Sequence, residues 1–207
     1  MQLAVFGGTG RVGRRVVERA LAAGHAVRAL VRDPARLAPR SRLDIVVGDV
    51  TDPGAVLATI EGSDAVVSAL GGGPVERPGT VLSDGMRHMV AAMARSGVGR
   101  VLAVAGSGVL DDPTGGLRGE APGFPPAYLA INAEHLGTWQ ALRASPLVWT
   151  LACCPDLVDG GSSGRYRVAA DRLPEEATWI GVDDVADFLV AQLTSPAFHR
   201  RRVGLGA

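Results

Sequence analysis

The 207-residue sequence predicts an α/β fold of the doubly wound kind, one parallel sheet with helices on both faces. Three observations carry that expectation. Apolar runs of strand length alternate with helical stripes through two-thirds of the chain. The strand-like runs are almost continuously apolar, as they must be when helices cover both faces of a sheet. And the stretch FGGTGRVG joins the first run to the first stripe through Gly7, Gly10 and Gly13, a turn whose backbone can approach another group closely.

Taken in order, QLAVFG (2–7) is a short apolar run ending at glycine and reads as a buried strand. Over 11–23 the side chains of Val12, Val16, Ala20 and Ala23 recur at three- and four-residue steps, a helical stripe that Gly24 ends. HAVRALVR (25–32) is a second strand. DPARLA starts a helical turn, with Asp33 as its cap and Pro34 at its first position. DIVVGD (44–49) is the third strand, DPGAVLATIEG a helix capped by Asp52, DAVVSALG (64–71) the fourth strand, and 83–96 a longer helix. RVLAVAGSG (100–108) and VWTLACCP (148–155) are the fifth and sixth strands. Two stretches, 111–130 and 159–177, show no such order, and the first is rich in proline and glycine. Loops this long in a compact domain are usually functional or mobile, and in this fold class they are expected beyond the carboxyl ends of the strands, covering the substrate. The whole chain, 1–207, reads as a single domain.

Composition narrows the function. With 21 basic and 21 acidic residues interleaved, no clustered positive field is available for nucleic acid or an anionic membrane. No apolar run approaches the roughly 18 residues of a membrane span, and no secretory signal opens the chain, so a cytoplasmic protein is expected. The four histidines are scattered and no metal set is expected. Cys153 and Cys154 are adjacent in an apolar run and read as small residues filling a buried strand. All 21 basic residues are arginine, so any mechanism that needs a lysine is excluded.

The glycine spacing G-x-x-G-x-x-G lies between a strand and a helix, with a second strand about ten residues beyond, the context a dinucleotide site requires. A sharp turn, a close backbone approach to a pyrophosphate and an open helix N-terminus are the physical demands, and they predict dinucleotide binding. At the end of the second strand a carboxylate would favour NAD. Here Arg32 holds that place and Arg36 lies one turn later, two guanidinium groups able to clamp a 2′-phosphate if they are not merely solvated. NADP is therefore expected over NAD. Asp49 and Val50, ending the third strand, suit either an adenine edge or a turn that starts the next helix. Ala69, Leu70 and Gly71 end the fourth strand, where small residues let a cofactor pass close to the backbone.

The stretches AVFGGTGRVG, LVRDPARL, VVGDVTD, GSDAVVSALG, MVAAMARSGVGRVLAV, NAEHLGTWQALRASPLVWTL and DDVADFLVAQL, in this order, give the chain a family likeness. It resembles the atypical short-chain dehydrogenase/reductases of the NAD(P)H-binding, NmrA-like group, most closely the biliverdin reductase B and flavin reductase type. The resemblance implies a single Rossmann-type domain, NADPH across the sheet edge and hydride delivery to a flat aromatic acceptor such as a flavin or tetrapyrrole. It assigns Gly7, Thr9, Gly10, Arg11, Val12 and Gly13 to the phosphate loop and Arg32 and Arg36 to the 2′-phosphate. It assigns Asp49 and Val50 to adenine, Leu70 and Gly71 to the path towards nicotinamide, and Pro155 to the nicotinamide pocket. Family members often carry a serine at the end of the fifth strand; ungapped alignment puts Gly106 there and Ser107 one residue later. His135 matches a family histidine, and suits either catalysis or an ordinary half-buried helix position. Where relatives have a histidine after the sixth strand, this chain has Asp156.

The Y-x-x-x-K pair of general short-chain dehydrogenases is absent, since Tyr128 is followed by Asn132 and Tyr166 by Ala170 at that spacing. Two functions remain: an NADPH-dependent reductase of a flavin or similar planar compound, or an NmrA-like protein that binds NADP as a redox sensor without turnover. In the first, Phe124 and Tyr128 are the aromatics expected to stack on the acceptor, and Trp149 is expected in the core.

Overall fold

The computed structural model describes residues 1–160 and 164–207. The elements in chain order are β1 (Gln2–Phe6), α1 (Arg11–Ala22), β2 (Ala26–Val31), β3 (Leu43–Val47), α2 (Pro53–Ile60), β4 (Ala65–Ser68), α3 (Val81–Ser96), β5 (Arg100–Gly106), α4 (Leu129–Ala144), β6 (Val148–Cys154), β7 (Asp156–Val158), β8 (Arg167–Ala170), β9 (Trp179–Gly181), α5 (Val182–Ala191) and β10 (Arg201–Gly206). Eight strands make one sheet in the order β3-β2-β1-β4-β5-β6-β10-β8. All its neighbours pair in parallel except β8, which runs antiparallel to β10 at the edge. β7 and β9 form a separate parallel pair.

Strand alternation splits the core in two. Leu3 and Val5 of β1 face one side, where Val12, Val16 and Val17 of α1 meet Val185, Phe188 and Leu189 of α5. Ala4 and Phe6 face the other, under Val56 and Ile60 of α2, Met86, Met89 and Met93 of α3, and Leu142 of α4. Helices on both faces explain why the parallel strands carry no polar alternation. The expected caps are present: Asp33 accepts from the Ala35 amide at 3.0 Å and Asp52 from the Gly54 amide at 2.8 Å. Cys153, Cys154 and Trp149 are buried, and both thiols are free.

The second irregular stretch needs correction. β8 lies inside 159–177, whose residues 161–163 fall outside the described ones. This edge strand has a single half-buried residue, and its apolar run, Val168–Ala170, is too short to announce it. Nor do the two stretches simply project beyond the strand ends. The Asp111 amide donates to the Asp171 carbonyl at 2.8 Å. A Cβ at Gly204 would lie 2.1 Å from the Arg172 carbonyl oxygen, and one at Gly206 would lie 2.2 Å from the Ala177 Cβ. These segments therefore press on the face of β10, on the α4 side. Arg202 on that face donates to the Val109 carbonyl at 2.6 Å and to Asp111 at 2.7 Å, under the Trp139 ring.

Candidate functional site

Register places six strand ends along one edge. Phe6 pairs with Leu30 and Ser68, Val31 with Val47, Ser68 with Ala103, and Gly106 with Cys154. Asp49, Arg32, Gly7, Ala69, Ser107 and Pro155 consequently follow the ends of β3, β2, β1, β4, β5 and β6, in that spatial order. At the usual strand spacing the row spans about 24 Å. Chain order reverses between β1 and β4, the switch point where such sheets open a crevice.

The β1–α1 turn borders that crevice. Gly7 has φ +79°, and a Cβ there would lie 2.3 Å from the Ala69 carbonyl oxygen. A Cβ on Gly13 would lie 2.1 Å from the Gly7 carbonyl oxygen, so the helix can sit on the strand only as glycine. The Gly10 amide closes the turn on the Gly7 carbonyl at 2.9 Å. Val12 is buried beneath the turn and Thr9 is half-buried. Gly10 caps α1 without a side-chain hydrogen bond, and no acidic residue stands in the first turn. The first helical N–H groups and the positive end of the helix dipole are thus presented to the crevice, the arrangement that holds an anion. Arg11 does not hang free: its Nη2 donates to the Leu157 carbonyl at 2.8 Å and its Nε to Asp159 at 3.1 Å.

Arg32 and Arg36 are exposed, and no hydrogen bond or ion pair holds either guanidinium among the described residues. Asp49 accepts from the Thr51 amide at 2.9 Å and the Thr51 hydroxyl at 2.8 Å, all on Oδ1. These two bonds, with the charge of Arg32 behind them, hold its carboxyl below the usual range. Asp49 therefore does shape the turn before α2. Val50 is buried and its carbonyl is engaged by His88 Nδ1 at 2.9 Å. Ala69 is buried, Leu70 half-buried, and Gly71 exposed with open space around it.

The β5 end is built differently. β5 stops at Gly106, and Ser107 opens a short 3-10 turn, half-buried and with no hydrogen bond from its hydroxyl among the described residues. The His135 ring lies against Gly106, where a Cβ would be 3.0 Å from its Cδ2 and 3.4 Å from its Nε2. Its Nδ1 is shut away from solvent without a partner among the described residues. Burial lowers its pKa to about 4, so the imidazole is neutral at neutral pH. α4 is positioned by Glu134, which accepts from the Ser83 amide at 3.1 Å and hydroxyl at 3.0 Å, and by Gly137 packed on Ser83. Phe124 packs on Gly108, 3.0 Å from where a Cβ would be, and lines a groove of about 390 Å³ with Arg118, Pro122 and Pro125. Tyr128 is exposed at the head of α4, and Pro155 is half-buried.

Sequence reasoning missed Asn132 as a structural residue. Its amide fills the places where Cβ atoms of Gly108 and Gly119 would stand, at 2.1 and 2.0 Å. It stands four residues after Tyr128, so the lysine position of the general mechanism carries the clamp that joins two loops to α4. The available signal was the pair of glycines, which have no repeat to connect them in sequence. Glu134 and Arg202 were missed because their partners Ser83 and Asp111 lie 51 and 91 residues away along the chain.

The family model of NAD(P)H-binding proteins matches residues 7–196. The chain belongs to that NAD(P)H-binding family. A curated relative, a 3-beta-hydroxysteroid dehydrogenase of Mycolicibacterium neoaurum, is 32% identical over 117 residues, covering 51% of this chain and only 32% of its own length. Among solved structures, a provisionally named exported protein of Burkholderia pseudomallei superposes with a TM-score of 0.85 at 29% identity, covering 100% of both chains. A provisionally named NADH-flavin reductase of Streptococcus pneumoniae gives 0.84 at 26%, covering 100% of this chain and 99% of that one. A short-chain dehydrogenase/reductase of Veillonella parvula, solved with NADP, shares the fold at 18% identity and a TM-score of 0.74, over 100% of this chain and 94% of that one. No helix among the described residues is long and apolar enough to cross a membrane.

Proposed function

We propose that the protein is an NADPH-dependent reductase of the flavin reductase type, passing hydride to a flavin or similar planar acceptor. The observation that carries this reading is the single row of strand ends, with an uncapped helix N-terminus at the switch point and, two strands away, the Ser107 turn whose flanking glycines Gly106 and Gly108 pack on His135 and Phe124. The site fits the cofactor through that open helix end, the exposed Arg32 and Arg36 beside the end of β2, and the small residues Ala69 and Gly71 along the path. Bound there, NADPH supplies the hydride. The N–H groups of Arg11, Val12 and Gly13 hold the pyrophosphate, and Thr9 lines the same turn. Arg32 and Arg36 hold the 2′-phosphate, the free Oδ2 of Asp49 and the wall of Val50 receive adenine, and Leu70 and Pro155 border the nicotinamide.

Phe124 and Tyr128 stack on the acceptor, covered by the 111–130 stretch to which they belong. Neutral His135 and the Ser107 hydroxyl orient it by hydrogen bonds, and neither delivers a proton as a cation would. Solvent supplies that proton, so a hydride and a proton together reduce the acceptor. Two free buried thiols and a cofactor pool of NADPH suit a cytoplasmic place.

The test is NADPH consumption with FMN, FAD and biliverdin, with NADH run beside it. Turnover with a flavin and a preference for NADPH supports the reading. Tight NADPH binding without turnover on any acceptor favours the NmrA-like sensor, which the unassisted Ser107 hydroxyl would also suit.

A further inference from the structure

Arg11 is the first residue of α1, and among the described residues its guanidinium donates to one distant segment, to the Leu157 carbonyl at 2.8 Å and to Asp159 at 3.1 Å. That segment is anchored. β7 pairs with β9, Leu157 packs against the α1/α5 core and Ile180 is fully buried. The ion pair itself is not: the Arg11 side chain is 48% exposed and that of Asp159 73%. A pair this exposed contributes little to stability. Removing it would leave no buried charge behind.

The geometry points to Asp159 as an internal rival of the cofactor's phosphates for Arg11, and so as a residue that sets cofactor affinity. This rests on reading the Gly7–Gly13 turn as the phosphate site. A phosphate at the N-terminus of α1 offers the guanidinium the same paired acceptor geometry as a carboxylate, with more charge. To bind it, Arg11 gives up Asp159, and the loss of that pair lowers affinity. The Leu157 carbonyl, being neutral, keeps the arginine near the site without competing. A weakened hold on cofactor suits an enzyme whose turnover includes cofactor release.

The experiment is calorimetric titration of NADP⁺ into the wild type, Asp159→Asn, Arg11→Gln and the double variant, at low and physiological salt. Asp159→Asn is expected to tighten binding about two- to fivefold, the range that exposed ion pairs span. The gain should shrink as salt rises and vanish in the Arg11→Gln background. Unchanged or weaker binding by Asp159→Asn, or an equal gain with and without Arg11, overturns the rivalry while leaving the phosphate site standing. A folded wild type that binds no dinucleotide overturns both.

Discussion

The β1–α1 turn and the turn after β5 lie on the same sheet edge, yet they are held by different kinds of contact. The first is fixed by backbone against backbone: Gly7 against the Ala69 carbonyl, Gly13 against the Gly7 carbonyl. The second is fixed by side chains from far along the chain. Asn132 sits between Gly108 and Gly119, His135 lies on Gly106, and Arg202 ties Val109 and Asp111 to β10. Backbone contacts demand one residue type at one spacing. Side-chain clamps can be built from many. The first half of the edge therefore tolerates only glycine at its contact points, whereas the second rests on side-chain contacts.

The largest effect should come from Gly13→Ala. Its Cβ meets a carbonyl at 2.1 Å that cannot move without pulling α1 off the sheet. A loss of about 3 kcal/mol in denaturant unfolding is expected, together with loss of NADPH binding in calorimetry. Arg202→Met comes next. The side chain is 9% exposed and serves Asp111 and the Val109 carbonyl. Its removal should cost about 2 to 3 kcal/mol, because it leaves these groups unpaired. Cofactor affinity should stay within about twofold, since Arg202 and its partners Asp111 and Asp171 lie at β10, away from the β1–α1 turn. A large loss of affinity in Arg202→Met would show that the two halves of the edge are not separable.

The smallest effect concerns pH. His135 is held near pKa 4 by burial, below its ordinary value of 6.5. The unfolded chain takes up the proton first, so stability is full above about pH 6.5 and falls as pH drops towards 4. In His135→Gln that part of the acid-side loss should disappear, by roughly 1 to 3 kcal/mol between pH 6.5 and 4. Thermal unfolding at the two pH values, compared between the proteins, reads it. Parallel curves would mean that the ring is not paying a desolvation cost.

The same contrast decides what the sequence could disclose. The parallel strands, the caps Asp33 and Asp52 and the glycine turn were legible because period, cap chemistry and steric need each leave a local mark. β8 left none, being a four-residue edge strand with one half-buried residue. The covering of β10 by 172–177 was also hidden, because it depends on Gly204 and Gly206 far downstream. Asp49 illustrates an intermediate case. Its turn-forming bonds to Thr51 follow from the local sequence, whereas its place in a row with Arg32 and Gly7 comes only from strand register.

The most direct measurement of the central claim is the dissociation constant of NADPH and of NADH for the wild type and Arg32→Ala, taken by calorimetry under one buffer. The edge described here predicts tighter NADPH binding in the wild type. It also predicts a loss of about ten- to a hundredfold for NADPH in Arg32→Ala, the worth of a charge-assisted phosphate contact, with NADH changed by less than about twofold. Equal losses for both cofactors, or an NADPH preference that survives the substitution, would contradict it.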